Sequence, residues 1–188
     1  MYWEGGCGER IPAWATRVVQ DEQTKIFSAQ VWNPEKPYKF KKKTFTPNVA
    51  PLMIYECHIG MGQDAEKVGT YNEFRENVLP RIAKDGYNCI QIMAIQEHPY
   101  YGSFGYHVSS FFAPSSRFGT PEELKQLIDT AHQMNIAVIM DIVHSHAVKN
   151  EVEGLGNFAG DPCQYFYQAD VVSIRHGIRS ALTMARTR

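Results

Sequence analysis

The chain has no long apolar run, no dense cysteine pattern and no excess of charge of either sign. Nothing approaches the roughly 18 consecutive apolar residues of a membrane-spanning helix. The start, Met1-Tyr2-Trp3-Glu4-Gly5, lacks the basic region and apolar stretch of a signal peptide. Only four cysteines occur, Cys7, Cys57, Cys89 and Cys163, too widely spaced for a CxxC metal knuckle or a disulfide framework. Cys57 and Cys89 sit in apolar runs, where a cysteine acts as a small buried hydrophobe. A reducing compartment, the cytosol, is the expectation. Lys and Arg total 19 against 20 Asp and Glu, which leaves no electrostatic footprint for nucleic acid or an anionic membrane surface. The one dense basic run, Lys39 and Lys41 to Lys43 around Phe40, reads as a solvated linker. A Walker-type loop, a GxGxxG turn and a GxSxG elbow are all missing, so nucleotide-loop and esterase readings have no support.

What is present is a chain of 188 residues with 44% hydrophobic and 21% charged residues, enough for one ordinary core. Gly5-Gly6-Cys7-Gly8 signals a turn. Ala15 to Val19 and Lys25 to Trp32 flank the polar turn Gln20-Asp21-Glu22-Gln23 and predict a hairpin, marginal by itself. Asn33 to Pro51 carries Pro34, Pro37, Pro47 and Pro51 without a period, and predicts a boundary. Beyond it, Met53 to Ile59, Asn88 to Met93 and Ala137 to Val143 read as strands. Thr70 with Glu73, and Thr120 with Glu123, have capping-box spacing, the second with Pro121 at the first helical position. Tyr71, Phe74, Val78 and Ile82 form one helical face; Leu124, Leu127, Ile128, Ala131 and Met134 form another. Pro80 conflicts with a continuous helix and predicts a kink or a restart; Gly86 ends the element. Short apolar strands alternating with amphipathic helices predict a parallel α/β sheet.

The segment Ala94 to Gly119 follows a strand, precedes a helix, and is long for a connection without structure, which points to function. In a βα architecture it projects from the carboxyl end of the sheet. Its His98, Tyr100, Tyr101, Phe104, Tyr106, His107, Phe111, Phe112 and Arg117 suit sugar rings, with their apolar faces and polar rims; simple packing of a long loop is the other reading. Asp141 ends the third strand, either in a site mouth or as a carboxylate pinning a loop. His146 follows, able to meet a hydroxyl or orient Asp141. His144 and His146 also form an HxH pair. A metal-dependent barrel hydrolase on that pair needs further ligands, and His58 and His107 lack supporting acids at ligand spacing. His132 reads as a surface or interfacial residue.

Several blocks together resemble the glycogen and starch branching enzymes of the α-amylase superfamily. Tyr55-Glu56-Cys57-His58-Ile59-Gly60 resembles the first barrel strand, and Ala94 to Tyr106, continued by Ser116 to Glu122, the second-strand loop. Asp141-Ile142-Val143-His144-Ser145-His146 is similar to the first conserved region, and Arg10 to Trp14 with Val18 to Asp21 to the last strands of a carbohydrate-binding β-sandwich. The likeness covers about residues 8–168. It implies residues 1–50 as a β-sandwich remnant plus linker, 51–168 as about three βα units of a TIM (β/α)8 barrel, and 169–188 as a divergent basic tail. The implied reaction cuts an α-1,4-glucan and rejoins it as an α-1,6 branch by a retaining double displacement between two carboxylates. It implies Tyr106 as a platform beneath a sugar, Asp141 and His146 around the same sugar, and Tyr101, Phe104 and Arg117 as further glucan contacts. The partner would be glycogen, amylose or amylopectin, with no metal or organic cofactor; the location would be the cytoplasm, or a plastid in a plant-like parent.

The resemblance also implies what these residues do not carry. The nucleophilic Asp and the acid/base Glu belong to later strand ends, and Glu56, Glu97, Asp161 and Asp170 match neither. The likeness fades after Tyr165-Phe166-Tyr167. In the tail, Ile174, Ile178, Ala181 and Met184 have helical spacing. The expectation is a fragment incompetent for branching, with an open sheet edge. A non-catalytic glucan-binding remnant stands as the alternative.

Overall fold

The computed structural model describes residues 1–47, 51–166 and 179–181. In chain order the strands are β1 (Tyr2–Trp3), β2 (Gly6–Cys7), β3 (Val18–Gln20), β4 (Phe27–Ala29), β5 (Ile54–Cys57), β6 (Cys89–Ile92), β7 (Gln96–Glu97), β8 (Ser110–Pro114), β9 (Ala137–Met140), β10 (His146–Val148) and β11 (Arg179–Ala181). The α-helices are α1 (Tyr71–Glu73), α2 (Leu79–Lys84) and α3 (Pro121–Gln133). Two compact units result, each assembled from separated segments. One comprises Trp32–Ile95 and Ser115–Ile142, the other Met1–Val31, Gln96–Pro114 and the described part of Val143–Arg188.

In the first unit β5, β6 and β9 form a parallel sheet in that order. Its rungs run unshifted from Ile54–Cys89–Ala137 to Cys57–Ile92–Met140. Each strand is reached from the last through helical segments, as a parallel crossover requires. The central strand hides Cys89, Ile90 and Ile92 completely, whereas Ile54 and Ile139 on the flanking strands are 43% and 39% exposed. Burial pushes the Cys57 thiol up to about 12 and raises that of Cys89, so both stay protonated and inert at neutral pH.

Both expected capping boxes form. The Thr70 hydroxyl accepts from the Glu73 N–H and the Glu73 carboxylate accepts from the Thr70 N–H; Thr120 and Glu123 repeat the arrangement. After α1 the chain makes a π-helical stretch, Phe74–Val78, and restarts as α2 with Pro80 in its first turn. Proline has no N–H and its ring crowds the carbonyl four residues back, so the ladder widens there instead of breaking. Tyr71, Phe74, Val78, Leu79 and Ile82 are buried along this segment, and Leu124, Leu127 and Ala131 along α3. Each large side chain so buried contributes about 1.5–3 kcal/mol. Met134 departs from its expected place on the apolar face: it is the C-cap of α3 and 38% exposed. Asn135 then turns left-handed at φ 58°, a conformation asparagine tolerates.

The buried residue that the helical period does not announce is Asp129. Its carboxylate accepts from the Tyr38 hydroxyl at 2.6 Å and from the backbone N–H groups of Lys41 and Lys42 at 2.9 and 3.0 Å. Glu122, two turns earlier on the same face, accepts from the Lys125 ammonium at 2.9 Å, the Trp32 indole at 2.7 Å and the Tyr38 N–H. The lysine run expected as a solvated linker therefore has its backbone fastened to α3. Burial opposes ionisation of both carboxylates, but these hydrogen bonds outweigh it and hold both below the usual carboxylate range.

The second unit holds several two-stranded antiparallel pairs. β1 and β2 close over Gly5, whose φ of 86° suits glycine. The expected hairpin appears as β3 and β4, and Asp21 in its turn accepts from the N–H groups of Gln23 and Thr24. Ile11, Val18, Phe27 and Ala113 form one small core; Ala147, Leu155, Phe158 and Phe166 form another. The segment from Ala94 to Gly119, expected without regular structure, contains the bulged pair β7 and β8. In the tail, β11 pairs antiparallel with β10, so Ala181 lies in a strand and not in the expected helix; the remaining tail positions lie outside the described residues.

Candidate functional site

The aromatic segment is held in the second unit by buried polar side chains at its base. Gln96 donates from Nε2 to the Phe111 carbonyl at 3.1 Å and accepts at Oε1 from the Val143 N–H at 2.9 Å. This one amide joins the strand carrying the loop to the segment leading to His146. Glu97 and His98 are equally buried; Glu97 accepts from the His98 N–H, and the His98 ring meets the Gln96 carbonyl through Nδ1 at 2.9 Å. The Ser109 N–H donates to the Glu97 carbonyl, which closes the neck of the loop. Above this neck the chain turns tightly. Tyr101–Ser103 is a 3-10 turn, Phe104 is left-handed at φ 54°, and Gly105 follows at φ 94°. A left-handed phenylalanine costs of order 1–3 kcal/mol and marks a conformation imposed by its surroundings.

Tyr106 emerges from this turn half-buried, its N–H donating to the Ser103 carbonyl at 3.0 Å and its own carbonyl 2.7 Å from His146 Nε2. His146 Nδ1 lies 2.8 Å from the Ser145 hydroxyl. A carbonyl can only accept, so the neutral ring carries its proton on Nε2 and receives the Ser145 O–H at Nδ1. The imidazole thereby fixes the backbone of Tyr106. β10 in turn is fixed by β11 and by the Val148 N–H, which donates to the Val108 carbonyl at 3.0 Å.

Of the residues singled out from sequence, Tyr101, Phe104, Tyr106 and His146 all lie in this unit, Phe104 being 42% exposed. Tyr106 and His146 meet through the bond from the imidazole to the Tyr106 carbonyl. Asp141 and Arg117 belong to the other unit. There the Asp141 N–H extends the sheet ladder onto the Ile92 carbonyl at 2.9 Å, which sets Asp141 directly beyond β9, at the carboxyl end of the parallel strands. Arg117 lies in a 3-10 turn ahead of Gly119, whose φ of 135° and contact with Glu123 leave no room for a side chain. At the same end of the sheet, His58 packs edge-on to Phe118, and Phe118 edge-on to Tyr71, at 5.5 and 5.9 Å.

His144 is exposed, and both ring nitrogens of His146 are engaged, one by Ser145 and one by Tyr106. Among the described residues no three His, Cys, Asp or Glu side chains gather to hold a metal ion. Sequence reasoning missed a second aromatic surface. Trp14 and Phe112 stack at 4.6 Å with 26° between their planes and are 75% and 50% exposed. Only tertiary folding joins them: Phe112, in β8, was already among the aromatics of the long segment, whereas Trp14 stood by itself in an N-terminal turn.

Residues 66–157 match the family pattern of the alpha amylase catalytic domain. The chain is 55% identical over 161 residues to a 1,4-alpha-glucan-branching enzyme of Yarrowia lipolytica, 85% of this chain and 23% of that one. It is also 55% identical over 166 residues to the enzyme of that name from Saccharomyces cerevisiae, 84% of this chain and 24% of that one. A solved Salmonella typhimurium structure described as a candidate alpha amylase superposes with a TM-score of 0.63 at 24% identity, over 75% of this chain and 23% of its own, a likeness of fold. The chain thus spans about a quarter of the length of the curated relatives it matches.

Proposed function

The chain is an alpha-amylase-family sequence related to the 1,4-alpha-glucan-branching enzymes, and from that premise we infer that it contributes glucan contacts to an α-1,4 to α-1,6 branching reaction. The observation that carries this reading is the 55% identity across most of the chain, which takes in the loop whose Tyr106 is fixed by His146. In the reaction one carboxylate attacks the anomeric carbon while a second protonates the departing oxygen and then activates the acceptor hydroxyl. These residues supply neither carboxylate. Their proposed part is glucan contact, by family likeness: in one unit Tyr106 offers its ring to the apolar face of a sugar, with Tyr101 and Phe104 in the same loop, and in the other unit Asp141 and Arg117 offer polar contacts to glucan hydroxyls. His146 acts first by orienting Tyr106. A glucan hydroxyl reaches its ring by replacing the Ser145 hydroxyl at Nδ1. Stacking and hydrogen bonds aimed at a flattened, positively charged sugar ring favour the transition state over the bound substrate.

The β3–β4 hairpin and the segment before it read as the end of a carbohydrate-binding β-sandwich, and the exposed Trp14–Phe112 pair supports a glucan contact there. The four cysteines, free of disulfides, support a reducing compartment, the cytoplasm. The test is affinity electrophoresis of the 188-residue chain in amylose or glycogen gels, alongside an assay for new α-1,6 branch points. Retardation without branching is expected, and weaker retardation for Tyr106→Ala. New branch points, at clear excess over Tyr106→Ala, would show a complete catalytic centre and overturn the reading; absence of retardation would remove glucan contact.

A further inference from the structure

The lysine run that the glucan reading leaves unused borders a cleft of about 590 Å³ lined by Lys39, Phe40, Lys42, Lys43, Phe45 and His132. Its size is that of a small-molecule site. The segment that lines it is tethered to α3. Asp129 fixes the backbone at Lys41 and Lys42 onto α3, and Lys42 Nζ donates to Asn135 Oδ1 at 2.9 Å. The Phe45 ring has two neighbours in the lining: His132 stacks on it at 4.1 Å with 4° between planes, and Lys42 Nζ lies 5.6 Å from its centroid. The nearby carboxylates are spent, Asp129 and Glu122 each accepting several hydrogen bonds. The ammonium groups of Lys39 and Lys43 are exposed and have no hydrogen bond or ion pair among the described residues. A chain of net charge -1 thus gathers uncompensated positive charge around one cleft.

We propose that this cleft binds a small phosphomonoester carried on a sugar ring. Two uncommitted ammonium groups on a tethered backbone suit a doubly charged phosphate, because charge-assisted hydrogen bonds to its three terminal oxygens replace the water lost by both partners. The aromatic part of the lining selects what carries the phosphate. His132 already stacks on Phe45, so the most exposed aromatic surface of the lining is Phe40, 38% exposed and edge-on to Tyr38 at 5.6 Å. One open aromatic surface suits the single apolar face of a hexose; a flat base would call for two.

Isothermal titration of the 188-residue chain tests this with glucose 6-phosphate, glucose, inorganic phosphate and adenosine monophosphate. Glucose 6-phosphate is expected to bind at sub-millimolar concentration, inorganic phosphate at least about tenfold more weakly, and glucose not at all. The double variant Lys39→Ala/Lys43→Ala is expected to bind glucose 6-phosphate about 10- to 100-fold more weakly, the factor that such charged hydrogen bonds set, with its thermal midpoint unchanged. Absence of heat with glucose 6-phosphate, equal binding of glucose, or a double variant that binds as the parent does would overturn the proposal. Inorganic phosphate binding as tightly as the sugar phosphate, or adenosine monophosphate binding more tightly, would overturn its sugar component. None of these readouts depends on glucan binding or branching, so the two readings fail separately.

Discussion

The helix opened by Thr70 and the helix opened by Thr120 share a capping box, yet only the second continues unbroken, through Pro121–Gln133. The first passes through the π-helical stretch Phe74–Val78 before resuming at Leu79. Their interiors differ in where proline stands. Pro121 occupies the first position of α3, where an N–H would be an orphan anyway, whereas Pro80 comes ten residues after its cap and forces a local rearrangement. Burial nonetheless continues through the interruption, since Phe74, Val78, Leu79 and Ile82 all stay inside. Local ladder geometry and apolar burial are thus separable: a helix can lose its regular hydrogen bonding for a turn and keep its face.

If that separation holds, Leu79→Ala and Leu127→Ala should cost similar amounts, about 2–5 kcal/mol each in urea unfolding. A markedly smaller value at Leu79 would mean the interrupted helix is the more loosely packed of the two. The next effect belongs to α3 alone, because only α3 carries an anchoring buried acid. Asp129→Ala leaves the Tyr38 hydroxyl and two N–H groups without their acceptor, at a cost of about 1–3 kcal/mol. Its folded pKa lies below the unfolded value of about 3.9, so its contribution is complete above about pH 4 and is lost as pH falls through the folded value. Asp129→Asn should therefore flatten the acid limb of the stability profile. Tyr38 runs the opposite way. Burial, then the bond to Asp129, pushes its hydroxyl up to about 12, so that stabilisation is present below about pH 10 and is lost as pH rises through about 12.

Removing the shared device should equalise the helices: Thr70→Ala and Thr120→Ala each cost about 1 kcal/mol by thermal melting. A gap wider than about 1 kcal/mol between them would show that the helical residues after a cap decide its worth. Pro80→Ala should change stability least, by under about 1 kcal/mol, because the π-helical turn has already accommodated the ring. A gain near the roughly 3 kcal/mol that a proline costs inside a regular helix would show that the strain had persisted.

Much of the first unit was legible in the sequence because its signals are local. Capping boxes lie within four residues, apolar faces repeat every turn, and three apolar strands set the parallel sheet; even the Pro80 restart follows from proline's missing donor. Asp129 was not legible, since an acid on an apolar face announces itself only once Tyr38 and the Lys41–Lys42 backbone arrive to satisfy it. Met134 was misplaced because periodicity does not say where a face ends. The second unit was harder to read: β7 has two residues, the pairing of β10 with β11 spans a long sequence gap, and the Trp14–Phe112 stack joins distant segments. At the candidate site, Tyr106 and His146 could be named from family likeness. That His146 holds the Tyr106 carbonyl, and so fixes the backbone from which that ring projects, emerges only once the chain is folded.

The three-stranded sheet also governs how this chain behaves in a tube. Among the described residues β5 and β9 each pair along one side only, with Ile54, Ile139 and Met140 partly open to solvent. Unpaired amides beside apolar side chains make a template that a neighbouring chain can extend. Solubility is therefore a question of encounter frequency more than of melting. Dilute preparations should stay clear, and concentrated ones should turn cloudy while their helix signal is still intact.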